Sequence, residues 1–274
     1  MRERLAADGF AVIEGFKPAA EIAELRARAA EIVDAFDPSV ASGIFSTSDD
    51  QERSDDYFLG SGSTVRCFFE EEAFDAKGAL RQPKALSINK IGHAMHDLDE
   101  VFARFSHGPA LDALVRSAGI AEPHVYQSMY IFKQPHIGGE VRWHQDATYF
   151  WTQPQSVITL WFALERADRA NGCLWVQRGG HDGPLRERFV VANGVGRALK
   201  LDATPWPSES EAEPLEVEAG TLVVFHGRLP HYSAPNRSDV SRHAYTLHVV
   251  DGTAHYAREN WLQRDASLPV RGFV

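Results

Sequence analysis

An imidazole and a carboxylate stand two positions apart at His144 and Asp146, and a further imidazole, His231, follows 85 residues after the aspartate. In a β-strand, residues two apart point to the same face, so His144 and Asp146 can converge on one metal ion. Two histidines and one carboxylate are the donor set that holds iron(II) on one side and leaves its other positions open. An isolated His-x-Asp also arises by chance, so the prediction of a non-haem iron centre depends on the residues around His231.

The chain after residue 220 favours the metal interpretation. Residues 220–226 have the pattern of a turn followed by a buried strand, and a glycine and a proline interrupt the pattern just before His231. Residues 242–249 alternate like a further strand, which begins with Arg242. A guanidinium binds a carboxylate bidentately and keeps its charge. Arg242 can therefore anchor the far end of a dicarboxylate such as 2-oxoglutarate while the metal binds the near end.

The third metal ligand could also be His226, which lies in an apolar run where a histidine is more often a hydrogen-bonded core residue. We prefer His231 because it follows the break in the strand and shares its face with Ser233. Five other histidines are interpreted as structural or surface residues, and four stay open as pocket candidates. The first group is His107, His124, His243, His248 and His255, and the second is His93, His96, His136 and His181.

Composition restricts the class of protein. A chain of 274 residues with 44% hydrophobic content can support one large domain. Two cysteines are too few for a disulfide scaffold and fit a reducing compartment. The first residues lack the apolar core of a signal peptide, and no apolar run approaches the roughly 20 residues of a membrane span. A net charge of −10 disfavours nonspecific binding to nucleic acid. We expect a cytoplasmic protein that acts on a small molecule without nucleic-acid or membrane partners, and a monomer is favoured.

The order of patterns along the chain predicts a mainly β protein with a double-stranded β-helix core, the jelly-roll or cupin-like fold, and flanking α-helices. One domain would span residues 1–274, with helical support over about 1–120, the core over about 121–250 and an extension over 251–274. Residues 38–63 are polar, and they either cover the pocket or form a surface loop. An aromatic cluster could wall the pocket or belong to the core. The cluster comprises Phe68, Phe69, Tyr130, Phe132, Tyr149, Phe150 and Trp151.

Several stretches of the chain resemble the phytanoyl-CoA dioxygenase family of iron(II)/2-oxoglutarate oxygenases. The resemblance is greatest to the branch of this family whose members are called phytanoyl-CoA dioxygenase domain-containing proteins. These stretches are residues 84–96, 127–136, 138–146, 171–175 and 259–263. Matched by position, the iron ligands would be His144, Asp146 and His231. The resemblance also implies five contacts to the co-substrate, which are Lys90, Met129, Trp161, Ser233 and Arg242.

The activity that the resemblance implies is hydroxylation of a C–H bond in a small or acyl-type organic substrate. The reaction would use Fe(2+), 2-oxoglutarate and O2 and release succinate and CO2. One departure is the Arg-Gly-Gly-His sequence at 178–181, where the family usually has Pro-Gly-Ser-His. Related halogenases replace the carboxylate ligand with a small residue, so the presence of Asp146 favours hydroxylation. The alternatives are a non-catalytic metal-binding jelly roll that senses or binds partners and, more distantly, a cupin-like zinc enzyme.

Overall fold

The structure is a computed structural model that describes residues 1–39, 43–45 and 56–274. The helices are α1 (Arg2–Asp8), α2 (Ala19–Ala35), α3 (Asp56–Leu59), α4 (Met95–Leu98), α5 (Glu100–Ser106) and α6 (Pro109–Ser117). The strands are β1 (Phe10–Ile13), β2 (Ile44–Phe45), β3 (Val65–Glu70), β4 (Ile88–His93), β5 (Pro123–Ile131), β6 (Val141–His144), β7 (Thr152–Gln153), β8 (Ile158–Ala163), β9 (Leu174–Val176), β10 (Glu187–Ala192), β11 (Val195–Lys200), β12 (Glu213–Leu215), β13 (Leu222–His226), β14 (His231–Ser233), β15 (Ala244–Asp251) and β16 (His255–Tyr256).

The strands of the described residues form two main sheets. An eight-stranded sheet has the order β1-β13-β8-β15-β5-β4-β3-β2, and a four-stranded sheet has the order β12-β9-β14-β6. The pairs β10-β11 and β16-β7 complete the β-structure.

Helices cover one face of the large sheet. In α2, Ile22, Leu25, Ala29 and Val33 recur at helical spacing and are buried. They join a core cluster with residues of α5, α6 and the strands beneath. The helices therefore form an outer layer that packs against this face of the large sheet.

The other face of the large sheet packs against the four-stranded sheet. A second core cluster joins Trp161 and Val223 of the large sheet to Leu174 and Val176 of β9. Along β15, side chains alternate between the two layers, so Tyr245 belongs to the helix-side cluster and Ala244 to the cluster between the sheets. Two packed sheets with helices on one outer face confirm the predicted jelly roll.

The early part of the chain differs from a purely helical support. The strands β1, β3 and β4 all precede residue 121 and join the large sheet. The pattern of residues 10–13 predicts a short strand, which the structure confirms as β1, but β1 pairs with β13, more than 200 residues later, so its place in the sheet depends on a contact that no local pattern records. The proposed division of the chain at about residues 120 and 250 stays a prediction.

The predicted cover over residues 38–63 falls partly outside the described residues, which omit 40–42 and 46–55. Its described part includes α3, and Phe58 of α3 stacks on Trp261 with ring centroids 4.5 Å apart. Whether the segment covers the pocket stays a hypothesis. Throughout the described ranges, every helix is too short or too polar to cross a bilayer.

Candidate metal centre

Strand pairing brings the three predicted metal ligands together. His144 is the last residue of β6, His231 is the first residue of β14, and these two residues are direct partners in the antiparallel register. Asp146 follows β6 at the start of a 3-10 turn. The carboxylate oxygen Oδ1 of Asp146 lies 3.6 Å from Nε2 of His144 and 3.7 Å from Nε2 of His231. One potential ligand atom from each residue lies within 4.8 Å of the others, which is close enough to share one ion.

Backbone carbonyls orient both imidazoles. Nδ1 of His144 donates to the carbonyl of Arg142 at 2.8 Å, and Nδ1 of His231 donates to the carbonyl of Leu229 at 3.0 Å. A carbonyl only accepts, so in both rings the proton is on Nδ1 and the lone pair is on Nε2, which faces Asp146. Burial, reinforced by the neighbouring His231, lowers the pKa of His144 to about 3, so this ring is neutral at pH 7. Neutral rings with a fixed tautomer are what metal binding requires.

The second oxygen of Asp146 is held from the large sheet. The Thr159 hydroxyl donates to Oδ2, and Nε2 of His248 lies 3.5 Å from the same oxygen. Burial opposes ionisation of Asp146, but attraction to the positive charge that the imidazoles of His231 and His248 carry when protonated outweighs it and holds the pKa of the carboxyl below its usual range. The carboxylate is thus ionised, and its Oδ1 is directed at the two ligand imidazoles.

The sequence interpretation of His248 missed this contact. His248 is buried, and its ring stacks on Phe150 with centroids 4.8 Å apart. A signal was available: Thr246 and His248 stand two positions apart in the alternating run that follows Arg242, and therefore face the same side of one strand.

Replacing His248 with leucine should weaken metal binding about 10- to 100-fold, because Asp146 would lose a group that holds its orientation. His248→Gln, whose amide can still donate to Oδ2, should restore most of the affinity. Titration of each variant with Fe²⁺ under anaerobic conditions, with thermal unfolding in parallel, measures this. Equal metal affinity in wild type and His248→Leu would show that His248 does not position the carboxylate.

A cavity of about 650 Å3 between the two sheets contains the triad. A second cavity of about 480 Å3 lies beside α2 and α5, away from the triad, so we assign the site to the first. All eight residues predicted for the site line the first cavity. They are Lys90, Met129, His144, Asp146, Trp161, His231, Ser233 and Arg242.

Arg242 is buried and lines this cavity. Its Nε donates to the carbonyl of Gly172 at 3.0 Å, and one terminal nitrogen donates to the Ser233 hydroxyl at 3.1 Å. Its guanidinium carbon lies 5.5 Å from the centre of the Trp161 ring. Burial lowers the pKa of Arg242 to about 10, which leaves the side chain charged at neutral pH. The other terminal nitrogen, Nη1, is buried and has no hydrogen-bond partner among the described residues.

His226, the alternative to His231 as third ligand, lies outside the triad of His144, Asp146 and His231. Its Nδ1 accepts a hydrogen bond from the backbone N–H of Arg228, and burial lowers its pKa to about 4. Of the four open histidines, His93 lines the cavity. His181 belongs to residues 178–181, whose sequence differs from the usual family pattern, and its Nε2 lies 3.2 Å from the carbonyl oxygen of Ala6. The other two lie elsewhere, His96 in a buried pair with Asp97 and His136 at the surface beside Asp239.

The aromatic cluster divides between core and cavity. Tyr149 and Phe150 line the cavity. Phe69, Tyr130 and Phe132 belong to the helix-side core instead. Cavity aromatics that the cluster did not include come from distant parts of the chain, and they are Phe58, Trp143, Trp161, Trp206, Phe225, Tyr232 and Trp261.

A family model described as phytanoyl-CoA dioxygenase (PhyH) matches residues 5–244. The chain is 46% identical to phytanoyl-CoA dioxygenase 1 of Oryza sativa subsp. japonica over 94% of this chain and 91% of that protein. It is 45% identical to phytanoyl-CoA dioxygenase domain-containing protein 1 of Mus musculus over 96% of this chain and 93% of that protein.

Solved structures with the same fold include the non-haem alpha-ketoglutarate-dependent epimerase SnoN from nogalamycin biosynthesis. It matches with a TM-score of 0.63 at 15% identity, over 98% of this chain and 95% of that chain. EctD from S. alaskensis matches with a TM-score of 0.63 at 19% identity, over 98% of this chain and 82% of that chain. At these identities the likeness shows the fold alone.

Proposed function

Because the chain belongs to the phytanoyl-CoA dioxygenase family, we propose that it is an iron(II)- and 2-oxoglutarate-dependent dioxygenase. It would hydroxylate a C–H bond of a small or mid-sized organic substrate, use O2, and release succinate and CO2. One observation carries the proposal: a cluster of two histidines and one carboxylate shares a cavity with a buried arginine that has an unpartnered nitrogen.

The donor set fits iron(II). His144 and His231 would each supply a neutral Nε2, and Asp146 would supply one negative charge through Oδ1. Three protein ligands leave other coordination positions open, as an oxygenase requires and a closed structural site does not.

Two basic residues of the cavity lining fit a dicarboxylate. Arg242 would hold the distal carboxylate of 2-oxoglutarate, since its buried Nη1 lacks a partner within the described part of the chain. Lys90 adds a second cation to the lining, with its Nζ 4.0 Å from the sulfur of Met129. Two cations and a divalent metal would compensate the charge of the dianion in a buried place.

When bound, iron, 2-oxoglutarate and O2 together supply the oxidising chemistry. The chain supplies orientation and shielding. The imidazole protons stay on Nδ1 of both ligand histidines, held by backbone carbonyls. Packed sheets behind the site and aromatic side chains around it limit access of water.

The primary substrate would occupy the part of the cavity that the co-substrate leaves free. The cavity lining includes the aromatic residues Phe58, Tyr149 and Trp261. Charged lining residues of both signs, Glu140 and Arg142, are present as well. This mixture favours a largely apolar or ring-shaped body over a strongly anionic one.

The direct test is co-substrate turnover in the absence of a known primary substrate. The protein is incubated with Fe²⁺, ascorbate, O2 and 2-oxoglutarate, and succinate is measured. We expect slow succinate formation that stops when iron is removed. Adding a metabolite extract should accelerate it and yield a product heavier by one oxygen. Metal binding without any succinate, with or without extract, would favour a non-catalytic jelly roll.

A further inference from the structure

Thr246 of β15 carries a hydroxyl that the protein leaves without a partner. The side chain is buried, with 4% relative exposure, and Oγ1 makes no hydrogen bond to any described residue. The residue lines the cavity that holds the triad. Buried polar atoms are nearly always hydrogen-bonded, and an unpaired one is costly. The missing partner is therefore expected to come from a ligand in the cavity.

Strand register places Thr246 between the triad and the guanidinium. Its partners on the neighbouring strands are Met129 and Trp161, and the Trp161 ring lies beneath the guanidinium of Arg242. Two residues further along the same face, His248 faces Asp146. A molecule that reaches from the metal to Arg242 must therefore pass over Thr246.

The hydroxyl of Ser233 is already committed. Its Oγ donates its proton to the carbonyl of Gly172 at 2.9 Å and accepts a hydrogen bond from Arg242. A hydroxyl has one proton to donate, so Ser233 in this arrangement has none for a carboxylate. The hydroxyl of Thr246 has its proton available.

We propose that Thr246 donates a hydrogen bond to the distal carboxylate of 2-oxoglutarate, while Ser233 holds the guanidinium of Arg242 in place. This inference rests on the proposed function. It adds Thr246 to the five residues that the family resemblance implies as contacts of the co-substrate. It also assigns Ser233 to holding the guanidinium of Arg242 instead of contacting the co-substrate. The carboxylate would then accept one hydrogen bond from Nη1 of Arg242 and another from the hydroxyl of Thr246. Together these two donors satisfy more of its lone pairs than the arginine does alone.

The test measures binding without turnover. Protein loaded with Mn²⁺ is titrated with 2-oxoglutarate by calorimetry in the absence of oxygen. Thr246→Val keeps the shape of the side chain and removes the hydroxyl, so the Kd should rise about 10- to 100-fold, the usual worth of a hydrogen bond to a charged group. Thr246→Ser keeps the hydroxyl and should stay within about threefold of wild type. Unfolding of the ligand-free protein should separate this role from a structural one, since removing an unpartnered hydroxyl should not lower the Tm.

Two controls make the result specific. Thr148→Val removes another buried hydroxyl that is unpartnered among the described residues but does not line the cavity, so its Kd should match wild type. For 2-oxopentanoate, which has a methyl group in place of the distal carboxylate, Thr246→Val and wild type should bind equally. If Thr246→Val binds 2-oxoglutarate as well as wild type does, or weakens both ligands alike, this inference is wrong and the proposed function stands. If wild type fails to bind 2-oxoglutarate at all, both are wrong.

Discussion

Asp146→Ala is expected to abolish succinate formation from 2-oxoglutarate, lowering it by a hundredfold or more. The substitution removes the single anionic donor of the triad and leaves two neutral imidazoles to hold a divalent cation. Loss of a group that merely supports a metal ligand costs about 10- to 100-fold, and loss of the ligand itself should cost at least as much. The fall should be visible in both metal affinity and turnover, measured with Fe²⁺ titration and a succinate assay.

The matched control is Asp239→Ala. Asp239 is a carboxylate of the same size, but its side chain is 95% exposed and it lies beside His136 at the surface. We expect unchanged succinate formation in this variant. Normal succinate formation by Asp146→Ala would show that Asp146 is not an essential metal ligand, and the assignment of the triad would then be wrong.

Arg242→Ala should mainly raise the KM for 2-oxoglutarate, by roughly a hundredfold, with a much smaller effect on kcat. Charge-assisted hydrogen bonds from a buried guanidinium contribute about 1.5–3 kcal/mol, and each 1.4 kcal/mol is a factor of ten in affinity. Arg242 is not among the three residues whose potential ligand atoms cluster, so the metal should still bind. Steady-state kinetics over a wide range of 2-oxoglutarate concentrations separate the two parameters.

Two further variants sharpen this experiment. Arg242→Lys keeps the charge but lacks the fork, and it should recover only part of the affinity. Arg237→Ala removes an exposed arginine that pairs with Glu72 at the surface, and its KM should equal that of wild type. An unchanged KM in Arg242→Ala, in a variant that still folds and binds iron, would show that the dicarboxylate is anchored elsewhere.

Much of the site could be predicted from local patterns. The spacing of His144 and Asp146, the break before His231 and the alternation after Arg242 identified residues that the structure brings into one cavity. The predicted family and jelly-roll fold are confirmed as well. These features depend on neighbours in the chain or on a long shared pattern, and such information is present in the sequence itself.

Other parts of the site needed the three-dimensional structure. The choice of His231 over His226 rested on a strand break, whereas the structure adds the register in which His231 is opposite His144. The alternation along β15 indicates which face His248 shares with Thr246, but its contact with Asp146 depends on where the turn after β6 meets β15, which no local pattern records.

The sequence by itself predicted the residues that we propose as metal ligands, the arginine proposed to bind the co-substrate and the alternating pattern of β15. Tertiary structure decided which hydroxyl is free, because Ser233 is bound to Gly172 whereas Thr246 is unpartnered among the described residues. The physical reason is that residue type fixes how many hydrogen bonds a side chain can make, while its partners are set by non-local strand register and packing.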